Sequence, residues 1–115
     1  MDGQLCTENW VGRVAVVAAT GELDMLTAPQ LRDAVQSALS KDPAGLIIDL
    51  TLVDFLGSAG MQVLMEAHNQ TGGGDTRFAV VADGPSTSRP LKITGIADLI
   101  DLFASVDVAL ENFAV

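Results

Sequence analysis

The sequence predicts an α/β domain with a mixed, mostly parallel central sheet and about four helices. Three observations lead to this class. Strand-like and helix-like segments alternate in the order β-β-α-β-α-β-α-β-α, which is typical of helices packed on a parallel sheet. Residues 46–50 form a nearly continuous apolar run, as in strands that are buried on both faces. Only a turn at residues 12–13 separates the first two strands, so this pair forms an antiparallel hairpin.

The length and composition favour one domain, residues 1–115, with an aliphatic core. Of the 115 residues, 49% are hydrophobic and 4% aromatic. The single cysteine, Cys6, cannot form an internal disulfide, which fits a reducing compartment. The net charge of −9 argues against a nucleic-acid surface and against docking on anionic lipid. No apolar run reaches the roughly 20 residues that a membrane helix needs, and the N-terminus lacks a signal-peptide pattern. We therefore expect a soluble cytoplasmic protein.

The first half of the chain predicts the hairpin and then a helix. Residues 4–9 and 14–18 give the two strands, and residues 21–24 form the turn that ends the second strand. Thr27 or a neighbour caps the next helix, with Pro29 tolerated in its first turn. Its apolar positions fall on one stripe, made of Leu31, Ala34, Val35, Ala38 and Leu39. Residues 42–45 then stop the helix and lead into the central strand.

The central segment predicts a buried strand at residues 46–50, a second short apolar piece at residues 52–56, and a helix. The spacing places Met61, Leu64, Met65 and His68 on one stripe of this helix. The two methionines are expected to belong to the core, and His68 to lie at the helix surface or at the boundary of the core. A flexible connector at residues 72–75 leads to another strand at residues 77–82.

The last part of the chain predicts a loop at residues 83–88, a short helix at residues 89–94 and a strand at residues 99–103. Gly95 ends the short helix, and Ser105 or a neighbour caps a terminal helix. The inward-facing residues of that helix are expected to be Val108, Ala109 and Phe113.

At the junction between the central strand and its helix, a serine lies within Gly57-Ser58-Ala59-Gly60. The nucleophile elbow of a hydrolase needs glycine at position 56, where this chain has leucine. The only histidine, His68, is roughly 15 Å away at 1.5 Å per helical residue. Because a general base must lie within about 3 Å of the serine, a catalytic triad within one chain is excluded. We expect no catalytic residue and no enzymatic activity.

Phosphate loops and metal sites are also disfavoured. The three glycines of residues 72–74 are not followed by the Gly-Lys-Ser/Thr of a P-loop, so they indicate a mobile connector. One cysteine, one histidine and scattered carboxylates show no metal-ligand spacing. We therefore expect neither a metal nor a cofactor.

Two uses of the Ser58 hydroxyl stay open on pattern alone. The commoner use of a serine at this position is to cap the helix by accepting a backbone N–H. The alternative is phosphorylation, which adds about −1.5 to −2 charges that a helix N-terminus tolerates. A phosphate there would change the charge of an exposed corner that contains Asp54, with Glu22 and Asp24 nearby. Met25, in the loop beside Asp24, is a candidate for an exposed apolar contact.

Two motifs resemble the STAS domain of bacterial anti-sigma factor antagonists. The first is Gly21-Glu22-Leu23-Asp24, and the second is Asp49-Leu50 followed by Val53-Asp54-Phe55-Leu56-Gly57-Ser58-Ala59-Gly60-Met61. Thr94-Gly95-Ile96 also resembles a Ser-Gly-Leu motif that the family carries late in the chain. The likeness covers nearly the whole chain in the same element order, and it implies a STAS-like fold.

The resemblance also implies a function. It implies that the domain binds an anti-sigma factor, itself a serine kinase of the GHKL ATPase type, and so releases a sigma factor. The kinase would use ATP to phosphorylate Ser58, and a phosphatase would reverse this. The loop around Asp24 would contact the kinase. The predicted partner-binding surface is therefore made of Glu22, Asp24, Met25, Asp54, Gly57, Ser58, Ala59, Gly60 and Met61.

Two departures from the family pattern concern Ser58 directly. The family usually has Asp-Ser-Ser-Gly or Asp-Ser-Thr-Gly, whereas Gly57 and Ala59 flank the serine here. Our hypothesis is that Ser58 is phosphorylated slowly or by an unusual kinase, or that the chain acts mainly as an unphosphorylated binder. The alternative is a non-switching scaffold or oligomerisation module on the same fold, in which Ser58 only caps the helix.

Overall fold

The computed structural model describes residues 5–113, which form one five-stranded sheet with helices on both faces. The strands are β1 (Cys6–Val11), β2 (Val14–Leu23), β3 (Gly45–Leu56), β4 (Arg77–Val81) and β5 (Leu102–Phe103). The helices are α1 (Ala28–Leu39), α2 (Ser58–Thr71), α3 (Ser88–Ile93) and α4 (Val106–Phe113), and a 3₁₀ turn spans Ile96–Asp98. The predicted element order is confirmed.

The strands follow one another across the sheet in the order of the chain. The β1–β2 pair is antiparallel, while the β2–β3, β3–β4 and β4–β5 pairs are parallel. This confirms both the hairpin at the start and the mostly parallel sheet. Each parallel connection runs through a helix, so the carboxyl ends of the parallel strands and the N-termini of the following helices share one edge of the domain.

The central strand β3 is buried from both sides, as its apolar run predicts. Leu46, Ile48 and Leu50 point into the larger core, which also receives buried side chains from α1, α2 and α3. Ile47 points into a smaller core beneath α4, and all four of these side chains have 0% exposure. Burial of four aliphatic side chains gives roughly 1.5–3 kcal/mol each, so this strand anchors the domain.

Both long strands run further than the sequence predicts. The prediction ended β2 in a turn at residues 21–24, but β2 continues to Leu23. The β2–β3 register is irregular at two points, between Ala18 and Thr20 and between Gly21 and Glu22, and at each point β3 carries one more residue than β2. Gly21 has a φ of 78°, a conformation that glycine adopts easily, and the strand continues past it. The predicted break in β3 near residue 51 is likewise wrong.

The buried face of α2 differs from the predicted stripe. Its buried residues are Gly60, Val63, Leu64, Ala67 and Thr71. Of the predicted stripe, Leu64 is fully buried, whereas Met61 and Met65 are only half-buried. His68 is also half-buried, as expected for a boundary residue. The small residues Gly60 and Ala67 face the sheet and let the helix approach it closely. The longer side chains of Met61 and Met65 therefore lie at the edge of the buried face. For α1 the predicted stripe is confirmed, with Leu31, Val35 and Ala38 buried.

The C-terminal part contains two further corrections. The predicted strand at residues 99–103 reduces to β5, because the chain first makes the 3₁₀ turn. In α4, Ala109 is buried and Phe113 packs on the smaller core, but Val108 is 41% exposed, so its predicted inward orientation is wrong. Ser105 caps α4 as predicted, because its hydroxyl accepts the Val108 N–H at 3.2 Å. Within residues 5–113, no helix combines the length and hydrophobicity needed to cross a bilayer.

Candidate functional site

The predicted site lies where the end of β2, the end of β3 and the first turn of α2 meet. The backbone N–H of Gly57 donates to the carbonyl of Leu23 at 2.9 Å and joins the two strand ends. The Met61 N–H donates to the Gly57 carbonyl at 3.0 Å and closes the first turn of α2. This corner therefore rests on backbone hydrogen bonds at the carboxyl edge of the sheet.

The loop between β2 and α1 is held by the side chain of Asp24. Its Oδ1 accepts the N–H of Leu26 at 2.9 Å and the N–H of Thr27 at 3.1 Å. These backbone hydrogen bonds, first from Leu26 and then from Thr27, lower the pKa of the Asp24 carboxyl. The carboxylate is therefore charged near neutral pH, and the turn that it closes leaves Met25 and Leu26 at 80% and 84% exposure.

Thr27 stands at the N-cap position of α1, as predicted, but its hydroxyl does not cap the helix. The Oγ1 accepts the Asp24 N–H at 2.9 Å and donates to the Glu22 carbonyl at 2.6 Å. The hydroxyl thus ties the loop to the end of β2 instead of satisfying a helix N–H. The expected side-chain cap is wrong, and the same group instead fixes the position of Asp24.

Ser58 is the first residue of α2, and Gly57 takes the N-cap position. Gly57 is extended, with φ −87° and ψ 178°, and no side chain caps the helix. Within residues 5–113 the Ser58 hydroxyl makes no hydrogen bond, and the residue is exposed. The interpretation of Ser58 as an N-cap is therefore wrong, because the helix starts at Ser58 itself, one residue earlier than a capping serine requires.

The space around Gly57 limits which side chain can stand at this position. Its φ is open to any residue, but a Cβ there would lie 3.0 Å from Cε2 of Phe55 and 3.3 Å from the Leu23 carbonyl oxygen. The Phe55 ring, 51% exposed, lies beside the position that an aspartate side chain would take. With glycine at this position, the Phe55 ring and Ser58 line the same groove.

Gly60 has a packing role. It is buried, and a Cβ there would lie 2.8 Å from Cδ1 of Leu56 and 3.0 Å from Cβ of Leu23. The first distance is shorter than real Cβ contacts and the second is tighter than most of them, so Gly60 permits the close approach of α2 to β2. We therefore correct its assignment to the contact surface. Met61 is half-buried against the larger core, and its Sδ lies 3.8 Å from Thr94 Oγ1.

Five of the predicted residues share one shallow groove of about 300 Å³. Its lining residues are Asp24, Met25, Phe55, Gly57, Ser58 and Ala59. Glu22 and Asp54 are exposed and lie outside the lining, although Glu22 is the register partner of Phe55 across β2 and β3. The structure thus brings together one carboxylate, one free hydroxyl and two large apolar side chains.

Phe55 and Leu26 belong to this corner but were not among the predicted site residues. In the sequence, Phe55 looks like one more apolar residue of a buried strand. The extra residues in β3 place Val53 and Leu56 in the core, so Phe55 and Leu52 are left at 51% and 66% exposure. A signal for Phe55 existed, since apolar residues at positions 52, 53, 55 and 56 cannot all face one core.

Other chemistry is not supported at this corner. His68 lies near the far end of α2, with its ring centroid 6.5 Å from that of Phe78. Among residues 5–113, no group of three or more His, Cys, Asp or Glu side chains is arranged to hold a metal ion. The corner has the composition of a contact surface with one modifiable hydroxyl.

Comparisons with known proteins show the family and the fold. The STAS domain model matches residues 10–109. The chain is 38% identical over 99 residues to the anti-sigma-F factor antagonist RsfB of Mycobacterium tuberculosis, covering 86% of this chain and 80% of RsfB. It is 28% identical over 86 residues to the anti-sigma-B factor antagonist of Listeria monocytogenes, covering 75% of each chain.

A solved structure gives the same picture. The crystal structure of an anti-sigma factor antagonist from Mycobacterium paratuberculosis superposes with a TM-score of 0.89 at 37% identity. The match covers 94% of this chain and 92% of that one. The predicted fold class is confirmed.

Proposed function

Because the chain belongs to the STAS domain family, we propose that it is an anti-sigma factor antagonist, a cytoplasmic regulator that works by binding. It binds an anti-sigma factor and thereby releases a sigma factor. The observation that carries this proposal is the corner around Ser58, where an exposed hydroxyl without a hydrogen-bond partner among residues 5–113 borders a groove lined by Asp24, Met25 and Phe55. The relatives named above, at 38% and 28% identity, support it through their own names.

The contact surface combines apolar anchors with carboxylates. Met25, Leu26 and Phe55 expose between 51% and 84% of their surface, which is a high fraction for large apolar side chains. Such residues serve as anchors in protein interfaces. Asp24, Glu22 and Asp54 give the corner a negative charge. The partner surface is therefore expected to carry an apolar pocket with basic residues beside it.

Phosphorylation of Ser58 is the proposed switch. A phosphate on this hydroxyl adds about −1.5 to −2 charges inside the groove, next to the Asp24 carboxylate. Because the hydroxyl has no hydrogen-bond partner among residues 5–113, the modification changes the surface and leaves the domain folded. The kinase is the anti-sigma factor itself, of the GHKL type, and a serine phosphatase reverses the step. The phosphorylated protein then releases its partner.

Gly57 and Ala59 favour slow modification. An aspartate before the acceptor could hydrogen-bond the local backbone and orient the serine, and glycine cannot do this. We therefore expect phosphate transfer to Ser58 to be slow, with the unphosphorylated binder as the main form. The second candidate, a non-switching STAS scaffold, shares this surface, but capping by Ser58 no longer supports it.

The test uses the purified anti-sigma factors encoded in the genome that carries this chain, one at a time. Ser58→Ala is expected to bind like the wild type, and Ser58→Glu roughly tenfold or more weakly, since docking would bury an added charge in a groove lined by Met25 and Phe55. Ser40→Glu, an exposed serine at the far end of α1, is the matched control and keeps wild-type affinity. Equal binding by the two Ser58 variants refutes the switch, and binding to none of the anti-sigma factors refutes the function.

The rate of modification is tested with ATP and the anti-sigma factor that binds. Mass mapping of the phosphate over time is expected to show slow transfer to Ser58, and faster transfer in Gly57→Asp. The new Cβ needs only a small shift of the Phe55 ring, whose nearest atom is 3.0 Å away. Rapid and complete modification of the wild type contradicts the expected effect of Gly57.

A further inference from the structure

We propose that the outward face of α3 is the second half of the docking surface for the anti-sigma factor, and that it takes an acidic, apolar patch of that partner. This inference rests on the proposed function above. The face consists of Arg89, Lys92 and Ile93, and all three are exposed, with Ile93 at 74%. Leu91, fully buried, anchors the helix to the larger core and points the other three outward.

The position of α3 is fixed by its own hydrogen bonds. The Ser88 hydroxyl donates to the Gly84 carbonyl at 2.9 Å and accepts the Gly84 N–H at 3.1 Å. At the other end, Thr94 Oγ1 donates to the Pro90 carbonyl at 2.8 Å. These hydrogen bonds hold α3 in place, so less conformational entropy is lost when a partner docks on its outward face.

Arg89 and Lys92 differ from the other basic residues of this chain. The sequence has six basic residues, and four of them have a partner within the protein. Those four are Arg32 with Glu66, Lys41 with Glu8, Arg13 with the Asp42 carbonyl, and Arg77 with the Asn112 carbonyl.

Arg89 and Lys92 have no carboxylate within 4.0 Å among residues 5–113, although Asp83 and Asp98 lie on neighbouring segments. In a chain of net charge −9, two adjacent unpaired cations around an exposed isoleucine are a local reversal of sign. Such a patch complements a partner surface with carboxylates around an apolar pocket.

The α3 face is continuous with the Ser58 corner. Thr94, which directly follows α3, reaches Met61 in the first turn of α2, with Oγ1 and Sδ 3.8 Å apart. The surface thus runs from the carboxylates near Asp24, past Ser58 and Met61, to the cations of α3. A surface that is negative at one end and positive at the other admits a complementary partner in one orientation only, which the acidic corner alone does not ensure.

The experiment compares two lysine reversals in the full chain. Lys92→Glu is expected to weaken binding of the anti-sigma factor that the wild type binds by roughly tenfold, and Arg89→Glu together with Lys92→Glu by more. Lys41→Glu is the matched control, because it makes the same charge change just beyond the far end of α1, where it replaces an ion pair with Glu8 by a like-charge contact. Ile93→Ala, an uncharged change at an exposed site, is expected to cost roughly fivefold or more.

The outcomes separate this inference from the proposed function. If the wild type binds and Ser58→Glu weakens binding, but Lys92→Glu behaves like Lys41→Glu and Ile93→Ala like the wild type, the α3 face is not part of the interface. If the wild type binds no anti-sigma factor, both proposals are overturned. Thermal melts confirm that each variant is folded, and Ile93→Ala carries the test if a charge reversal disturbs folding.

Discussion

The two ends of α2 treat their polar side chains in opposite ways. Towards its C-terminus, Glu66 accepts two hydrogen bonds from Arg32 of α1, at 2.8 and 3.2 Å. One turn further, the amides of Gln70 and Gln36 bond each other in both directions, at 3.0 and 2.6 Å. At the N-terminal end, the Ser58 hydroxyl has no hydrogen-bond partner within residues 5–113.

This difference separates the part of the domain that stabilises the fold from the part that is available for contacts with a partner. The α1–α2 pairs satisfy one another, so this flank presents little for a partner to bind. The corner exposes Met25 and Phe55 beside a hydroxyl that has no hydrogen-bond partner among residues 5–113. These groups therefore remain available for contacts with another molecule. Gly60 marks the boundary between the two regions, because it follows Ser58 by only two residues and is already buried in the core.

The largest effect on stability is expected at that boundary. Gly60→Val places a branched side chain where even a Cβ lies 2.8 Å from Leu56 and 3.0 Å from Leu23. Overpacking of this kind costs about 1–3 kcal/mol of unfolding free energy. Urea denaturation measures it, and Gln62→Val, on the exposed side of α2, controls for helix propensity. Unchanged stability of Gly60→Val relative to that control would return Gly60 to the contact surface.

The sequence predicted the framework of the fold because that framework depends on strong, local patterns. The turn at residues 12–13 determines the hairpin, and the apolar run at residues 46–50 determines the doubly buried strand. The alternation of strands and helices determines the mostly parallel sheet. These features need no knowledge of neighbouring elements, and the resemblance to the STAS family added the position of Ser58.

The features that could not be predicted from the sequence depend on the register between strands and on the exact residue at which an element begins. The extra residues in β3 decide that Phe55 faces solvent, and their position follows only from pairing with β2. The start of α2 at Ser58 and not at Ala59 decides whether the hydroxyl caps the helix. The rotation of α2 follows from its contact with Leu23, far away in the sequence.

A smaller effect is expected from acid, and both regions contribute to it. The pKa of the Glu66 carboxyl is lowered by the hydrogen bonds from Arg32, and that of Asp24 by the N–H groups of Leu26 and Thr27. Because both pKa values are lower in the folded state, the ionised forms stabilise the fold above the unfolded pKa values of 4.5 and 3.8. This contribution is lost as the pH falls through the lower, folded values.

Thermal midpoints across pH measure this effect region by region. Glu66→Gln and Asp24→Asn are each expected to melt slightly below the wild type at about pH 7, and this difference in melting temperature is expected to shrink as the pH falls through the lowered, folded pKa values of the wild-type carboxyls. The Asp24→Asn variant also weakens binding, whereas Glu66→Gln does not. A pH dependence equal to that of the wild type in both variants would contradict the assigned ion pair and loop turn.

The smallest effect on stability is expected from the residue that matters most for the proposed function. Ser58→Ala removes a hydroxyl without a hydrogen-bond partner in residues 5–113, at an exposed position, so the unfolding free energy stays within about 0.5 kcal/mol of the wild type. Loss of a true N-cap would cost about 1 kcal/mol. Urea denaturation distinguishes the two values, with Ser105→Ala as the matched control, since Ser105 does cap α4. A loss of unfolding free energy in Ser58→Ala as large as in Ser105→Ala would mean that the hydroxyl stabilises the fold. Phosphorylation of Ser58 would then disturb the fold as well as the surface.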